Sequence, residues 1–189
     1  AGSTHPGEEE MVLQAFSEIR TSDPSVVLVL VPRHPERAEA CVVLCKAAGF
    51  IPERWSDVES SQRSGDILVV DRVGILRTFY GLANVAYIGG SLVPHGGQNP
   101  LEPLIAGVPV LFGPYMNNFR EIRQKILDAD TGIEVNSTET LAEHVIALLH
   151  DSDRSKAIGR RGEAMIVDNQ GALDRLYSIA EHLTQSPNP

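Results

Sequence analysis

The sequence predicts a doubly wound α/β domain, a parallel sheet covered on both faces by helices. Three observations predict it. Short apolar runs recur at residues 26–31, 67–70, 85–88 and 108–112 without polar alternation, the pattern of strands buried on both faces. Segments of helical period separate them. Glycine, proline, arginine, histidine and asparagine gather where these runs end, the edge at which such a sheet takes its ligand. At 189 residues, with 42% hydrophobic and 22% charged residues, the chain suffices for one domain with a substantial core.

The elements follow in order. Residues 7 to about 20 read as a helix with Met11, Val12, Ala15, Phe16 and Ile19 on one face. Glu8, Glu9 and Glu10 fill its first turn, where carboxylates suit the positive end of the helix dipole. Asp23-Pro24-Ser25 interrupts, 26–31 is a strand, and Pro32-Arg33-His34-Pro35 is a loop at its C-terminal end. A helix over 36–48 stops at Gly49. Residues 51–66 are irregular except for one short strand near 53–55. Then come a strand at 67–70, a short helix at 74–81, a strand at 85–88, a glycine-rich loop to 99, a helix over 100–106 and a strand at 108–112. A helix over 119–128 turns Ile122 and Ile126 inward, and 133–135 is the last strand. Asn136 or Ser137 caps a helix carrying Leu141, Val145, Leu148 and Leu149. Helices over 153–169 and 171–183 close a single domain spanning 1–185, and 186–189 is a frayed tail.

The net charge of −9 and pI near 5.1 argue against a nucleic-acid groove, which needs a basic face. No apolar run reaches the roughly 18 residues of a membrane span, and no signal peptide opens the chain, so this piece is expected to be soluble. Cys41 and Cys45 fall on one apolar helix face with Ala38, Val42 and Ala48. They read as buried thiols, because helical spacing does not suit a disulfide and no further metal ligands are near. Asp128-Ala129-Asp130 and Asp151-Ser152-Asp153 lie at helix ends and read as caps or solvated residues, with no metal expected.

Three constellations carry chemistry. Ala1-Gly2-Ser3-Thr4-His5-Pro6-Gly7 reads as a strand-to-helix turn with no strand before it, so the chain is expected to be cut there. Such a turn exposes amides to an anion, and Ser3 and Thr4 add hydroxyls, unless they only cap the helix. Arg33, just past a buried strand, would point into the ligand crevice and can grip a phosphate through two parallel hydrogen bonds. The alternative is a surface arginine paired to Glu36 or Glu39, and His34 beside it reads as a loop brace. The third is Gly89-Gly90-Ser91-Leu92-Val93-Pro94-His95-Gly96-Gly97-Gln98-Asn99-Pro100-Leu101-Glu102-Pro103. Paired glycines admit a ligand close to the backbone, so Gly90 and Ser91 join Ser3 and Thr4 as candidates for a phosphate cradle. Asn99 suits a helix cap and Pro100 the first helical position. Glu102 then sits in the first turn, where it can accept from a ribose diol or merely complete a capping box with Asn99.

"GGSLVPHGGQNPLEP" followed by "GVPVLFGP" and "NNFREI" resembles the signature of the 3-deoxy-D-manno-octulosonic acid (Kdo) transferases, with the "NPLE" element intact. "AGSTHPGEEE" and "VPRHPER" are similar to two further blocks of that family in the same order. The resemblance runs from Ala1 to about Ile122. It implies the Rossmann-like C-terminal half of a GT-B glycosyltransferase, whose N-terminal acceptor domain is absent from this chain. It implies transfer of Kdo from CMP-Kdo to lipid A precursor in lipopolysaccharide biosynthesis, at the cytoplasmic face of the bacterial inner membrane. By resemblance CMP would meet Pro32 and Arg33, the loop Val73-Gly74-Ile75, and Asn99, Pro100, Leu101 and Glu102. One phosphate on the donor calls for no metal and no cofactor. The family's catalytic base is a Glu of the other domain, so no catalytic residue is expected here and the chain by itself should turn over little. Membrane and acceptor contact would fall to that other domain. Two departures stand out: Val73-Gly74-Ile75 replaces the usual Met-Gly-Glu, and Gln98 stands where the family has His before "NPLE" or its equivalent. Two other readings stay open. One is a GT-B enzyme or sugar-nucleotide epimerase using a uridine nucleotide; the other is a non-catalytic α/β module.

Overall fold

The computed structural model describes residues 1–58 and 64–167. Its strands are β1 (Gly2–Thr4), β2 (Leu28–Pro32), β3 (Pro52–Arg54), β4 (Ile67–Val69), β5 (Ala86–Ile88), β6 (Val110–Phe112) and β7 (Gly132–Glu134). They form one sheet in the order β3-β4-β2-β1-β5-β6-β7, and every pairing is parallel. Its helices are α1 (Glu8–Ser22), α2 (Ala38–Ala47), α3 (Trp55–Val58), α4 (Leu76–Tyr80), α5 (Leu101–Ile105), α6 (Arg120–Asp128) and α7 (Thr138–His150). Residues 152–167 are helical as well.

The chain winds outward from β1 through β2 toward β4 and β3, then returns to lay β5 on the other side of β1. The order reverses between β1 and β5, and in open parallel sheets a crevice opens at such a point. Side chains alternate across the sheet with period two. Tyr87 and Leu111 pack with Val12, Ala15 and Ile19 of α1 and with Leu141 and Leu148 of α7. Ala86, Ile88, Val110 and Phe112 face the other way, onto Tyr80, Leu104 and Ile126 of α4, α5 and α6. On the flank, Leu13 and Phe16 of α1 join Leu30, Ile67 and Val69 against α2. The doubly wound reading therefore holds on both faces.

Several boundaries moved. Where the sequence predicts a turn, Gly2–Thr4 is the central strand, with Gly2 in register with Val31 on one side and Ile88 on the other. Three residues give no periodicity; the pairing partners on both edges extend them. Pro35–Arg37 form a 3-10 turn, so α2 starts at Ala38 rather than at 36. β3 covers Pro52–Arg54, one residue before its expected place, and α3 was not foreseen. Of the two cap candidates before α7, Ser137 is the one that caps, accepting from the Thr140 amide at 3.3 Å. The helix expected over 171–183, the tail at 186–189 and the domain limit at 185 lie outside the described residues. Among the described residues no helix is long and apolar enough to cross a membrane.

Cys41 and Cys45 are free and fully buried in the α1/α2 cluster. Burial pushes the Cys41 thiol up to about 11, with Glu9 adding to the effect, and the Cys45 thiol up to about 12. Both folded values lie above the ordinary thiol range near 8.5. Their contribution to stability is therefore complete below that range and is lost as pH rises toward about 11. Two outcomes are expected. An aromatic disulfide reagent leaves both thiols untouched until urea unfolds the chain, and the urea midpoint falls steadily above pH ~9. Rapid labelling of the native chain would contradict this packing.

Candidate functional site: a crevice at the switch point

Parallel strands place all their C-terminal ends on one edge, and the three constellations collect there. β1 runs into His5, β2 into Arg33 and His34, β4 into residues 70–75, and β5 into the glycine-rich loop.

The amides expected to cradle a phosphate already hold an anion, the carboxylate of Glu8. Gly90 N–H donates to Glu8 Oε2 at 2.7 Å, and the Ser91 and Leu92 amides donate to Oε1 at 3.1 Å each. The Tyr87 hydroxyl donates to Oε1 at 2.5 Å, and the His5 amide to Oε2 at 3.2 Å. Glu8 is 0% exposed. No cation pairs with it among the described residues; the converging amides and the N-terminal end of α1 offset its buried charge. The Ser91 hydroxyl is committed too, donating to the Ile88 carbonyl and accepting from the Gly113 amide at 2.8 Å. The Thr4 hydroxyl donates to Glu9 at 3.1 Å. Glu9, also 0% exposed, is gripped by both Arg37 nitrogens at 2.5 and 3.3 Å. Ser3 adopts a left-handed φ of 57°, where the β1–β2 register shifts, and its carbonyl packs directly over Gly89. So Thr4, Gly90 and Ser91 turn their donors inward, onto the protein's own groups. The sequence reading of three glutamates in a first helical turn missed this: Glu8 and Glu9 are structural anions and only Glu10 is exposed.

What the crevice does present is a set of imidazoles. His5 stacks on His95 with ring centroids 4.3 Å apart and planes 13° from parallel. His34 meets His5 edge-on at 6.4 Å. The Gln98 amide nitrogen lies 3.1 Å from His5 Nε2. The loop can bring His95 and Gln98 back over His5 because it doubles on itself, Gly97 N–H bonding the Gly90 carbonyl at 2.8 Å and Gln98 N–H the Gly89 carbonyl at 3.1 Å. Gly90 and Gly96 at this turn have φ of 68° and 86°, which side chains rarely adopt. Burial holds His5 below the ordinary imidazole value; His95, His34 and Arg33 push the same way and Glu8 opposes. The signal available in the sequence was positional: His5 directly follows β1, and His95 stands among the glycines after β5.

Arg33 is exposed at the end of β2, its amide donating to the Thr4 carbonyl at 2.9 Å. The neighbouring carboxylates are otherwise engaged: Glu36 faces His34 at 3.8 Å and Glu39 faces Arg54 at 3.4 Å. Among the described residues its guanidinium has no ion pair. Pro32 closes β2 and is buried. Val73 and Gly74 stand at an exposed turn, Gly74 with φ 85°, and Ile75 leads into α4. That loop is anchored where it starts, since the Ser56 amide and hydroxyl donate to Asp71 at 3.1 and 2.5 Å. Next to Ser56, Trp55 packs edge-on against Phe79 of α4 at 5.3 Å, and its indole N–H has no hydrogen-bond partner among the described residues.

Across the crevice, α5 starts at Leu101, one residue later than expected, with Pro100 before it. Asn99 Oδ1 accepts from the Leu101 amide at 3.0 Å. The capping box with Asn99, the alternative role for Glu102, does not form, which leaves that carboxylate without a hydrogen bond or ion pair among the described residues. Glu102 lies near Tyr80, whose phenol is raised by burial and then by this charge. Outside the crevice, Asp130 pairs with Arg161 at 2.6 Å, Asp128 accepts from Gln124 at 2.8 Å and Asp151 caps the Arg154 amide at 2.9 Å. Among the described residues no group of three or more His, Cys, Asp or Glu could hold a metal.

No family model matches the chain. It is 38% identical over 180 residues to the 3-deoxy-D-manno-octulosonic acid transferase of Haemophilus influenzae, covering 95% of this chain and 42% of that protein. It is 37% identical over 149 residues to the enzyme of the same name from Aquifex aeolicus, covering 79% of this chain and 41% of that one. The crystal structure of the C-terminal CMP-Kdo binding domain of WaaA from Acinetobacter baumannii matches with a TM-score of 0.82 at 30% identity, covering 87% of this chain and 86% of that domain. The chain thus spans under half the length of the curated relatives it matches. The class defined by this fold and crevice is the C-terminal, Rossmann-like half of a GT-B glycosyltransferase. Within that class, the chain belongs to the Kdo transferase family.

Proposed function

We propose that the chain is the donor-binding half of a transferase that moves Kdo from CMP-Kdo to lipid A precursor in lipopolysaccharide biosynthesis. The observation that carries this is Arg33: an exposed guanidinium at the end of a buried strand, facing a switch-point crevice, with its nearby carboxylates engaged elsewhere. A phosphate is the group such an arginine suits. Glu102, half-buried at the start of α5, supplies an acceptor for the ribose diol. In this reading Pro32, Val73, Gly74, Ile75, Asn99, Pro100 and Leu101 complete the contacts to CMP. With Ile75 in place of an acidic residue, that loop offers backbone and apolar contacts only. Ser3, Thr4, Gly90 and Ser91 act on the phosphate at most indirectly, by fixing the loop that borders it.

Inverting transfer needs a base to take the acceptor proton. We assign that base, the acceptor site and membrane contact at the cytoplasmic face of the inner membrane to the other half of the full-length enzyme. This chain alone should then bind donor and transfer nothing. Incubation with CMP-Kdo and a lipid A precursor checks it; product formed by the isolated chain would overturn that assignment.

Calorimetric titration with CMP and with UMP tests the donor reading. CMP is expected to bind, with UMP at least about tenfold weaker, or about 1.4 kcal/mol. Arg33→Ala should weaken CMP by roughly ten- to a hundredfold, the scale of a charge-assisted hydrogen bond, and Glu102→Ala by about tenfold. Equal binding of UMP would favour a uridine-nucleotide enzyme. No binding by the folded chain would mean either that the other half completes the site or that the chain is a non-catalytic module, and the same titration on the full-length protein separates the two.

A further inference from the structure

The imidazoles at the switch point are not needed to explain the fold. His95 is exposed and His5 only partly covered, while the buried anchor of this corner is Glu8. Three histidines nevertheless meet at one place: on the loop after β1, the loop after β2 and the loop after β5. Every group facing His5 can be named. Glu8 lies beneath it from α1, Arg33 and His34 flank it from the β2 loop, and His95 and Gln98 cover it from the glycine-rich loop. Of these only Glu8 is anionic, and its oxygens are already saturated by three loop amides, the His5 amide and the Tyr87 hydroxyl. His34 has the distant, exposed Glu36 at 3.8 Å.

Resting on the donor reading above, we propose that His5, His34 and His95, with Arg33 beside them, form a seat for the phosphate of the nucleotide sugar, and that filling the seat draws a proton from solvent onto His5, the ring stacked on His95. Burial and the stacked His95 ring both work against charge on His5, so without a ligand His5 favours its neutral form. An anion placed against it reverses that balance, because an opposite charge within about 4–6 Å favours the protonated form. The proton leaves the buffer and binds an imidazole nitrogen; no covalent bond between heavy atoms changes. Gln98 serves both states. Its NH2 donates to an unprotonated His5 Nε2, and the amide turned over offers its oxygen to a protonated one. Unlike a histidine, glutamine at position 98 keeps the hydrogen bond without offering a proton site of its own.

The test is CMP titration by calorimetry in buffers of widely different ionisation enthalpy, at one pH above the second ionisation of phosphate, near pH 6. There the ligand's own proton change is small and of opposite sign. The observed enthalpy is expected to vary linearly with buffer ionisation enthalpy, with a slope of proton uptake between zero and one. Cytidine, which lacks the phosphate, should give no such slope. The slope should vanish in the His5→Gln, His95→Gln double variant. Should that variant fail to fold, the imidazole carbon-proton signals of the wild-type chain decide: those of His5 must move toward the protonated position as CMP is added. CMP binding with zero slope, or a slope that survives the double substitution, overturns the seat and leaves the donor reading standing. If neither the folded chain nor the full-length protein binds CMP, both fall together.

Discussion

Replacing Glu8 by alanine is expected to cost at least about 4 kcal/mol of stability, enough to unfold many domains of this size. The carboxylate is 0% exposed and accepts from the Gly90, Ser91 and Leu92 amides and from the Tyr87 hydroxyl. Alanine leaves four buried donors without an acceptor, each costing about 1–3 kcal/mol. Glu8→Gln should fall between, since one oxygen survives but the new NH2 faces amides that are themselves donors. Urea unfolding of the two variants gives the order directly. A loss under about 1 kcal/mol for Glu8→Ala would mean that water enters and satisfies the loop. The effect should reach the site as well. These bonds join the start of α1 to the loop that carries His95 and Gln98, so a folded Glu8→Gln chain should bind CMP more weakly although residue 8 never meets the ligand.

The second large effect is expected at Gly89. A Cβ there would overlap the Ser3 carbonyl, with the Thr4 nitrogen 2.6 Å away, and both are backbone atoms of the central strand that cannot swing aside. β1 and β5 are held together by little: Gly2 in register with Ile88, and the Gly89 amide donating to the Gly2 carbonyl at 2.8 Å. Gly89→Ala wedges that seam apart and should cost more than the about 1–3 kcal/mol of ordinary overpacking. Gly49→Ala is the contrast. Gly49 has φ 85° but nothing within 4 Å of its would-be Cβ, so only the left-handed strain of about 1–2 kcal/mol applies. Thermal melts of the two should separate clearly. Equal losses would show that backbone strain, and not the close approach of two strands, sets the requirement for glycine at 89.

The parallel sheet was legible because its strands are continuous apolar runs and its helices are amphipathic. Leu30, Val69, Ile88 and Phe112 announce burial by composition alone. β1 was not legible, because Gly-Ser-Thr has no hydrophobic signature and becomes a strand only when flanked by β2 and β5. The same limit applies to the site. The segments bearing Arg33, Gly74 and Glu102 could be placed at strand ends from spacing, and the structure puts them on one edge. What spacing could not convey is which partners the side chains choose. Glu8 is separated from the amides it occupies by more than eighty residues. His5 and His95 lie farther apart still in sequence, yet their rings touch. Cradle and cap motifs state what a backbone can bind; the tertiary fold decides whether a ligand or the protein itself fills the place.

Trp55 is the sole tryptophan of the sequence, and its neighbours give it a use as an optical gauge. Its ring leans on Phe79 of α4, and the adjacent Ser56 tethers Asp71, where the Val73-Gly74-Ile75 loop begins. Light absorbed by indole alone therefore samples the rim of the crevice on the side of β3 and β4, away from the histidines. Any nucleotide that presses on that loop should alter the colour or yield of emission, whereas an anion confined to the imidazoles should leave it dark to the change. The chain thus carries its own reporter for telling occupation of one end of the crevice from occupation of the other.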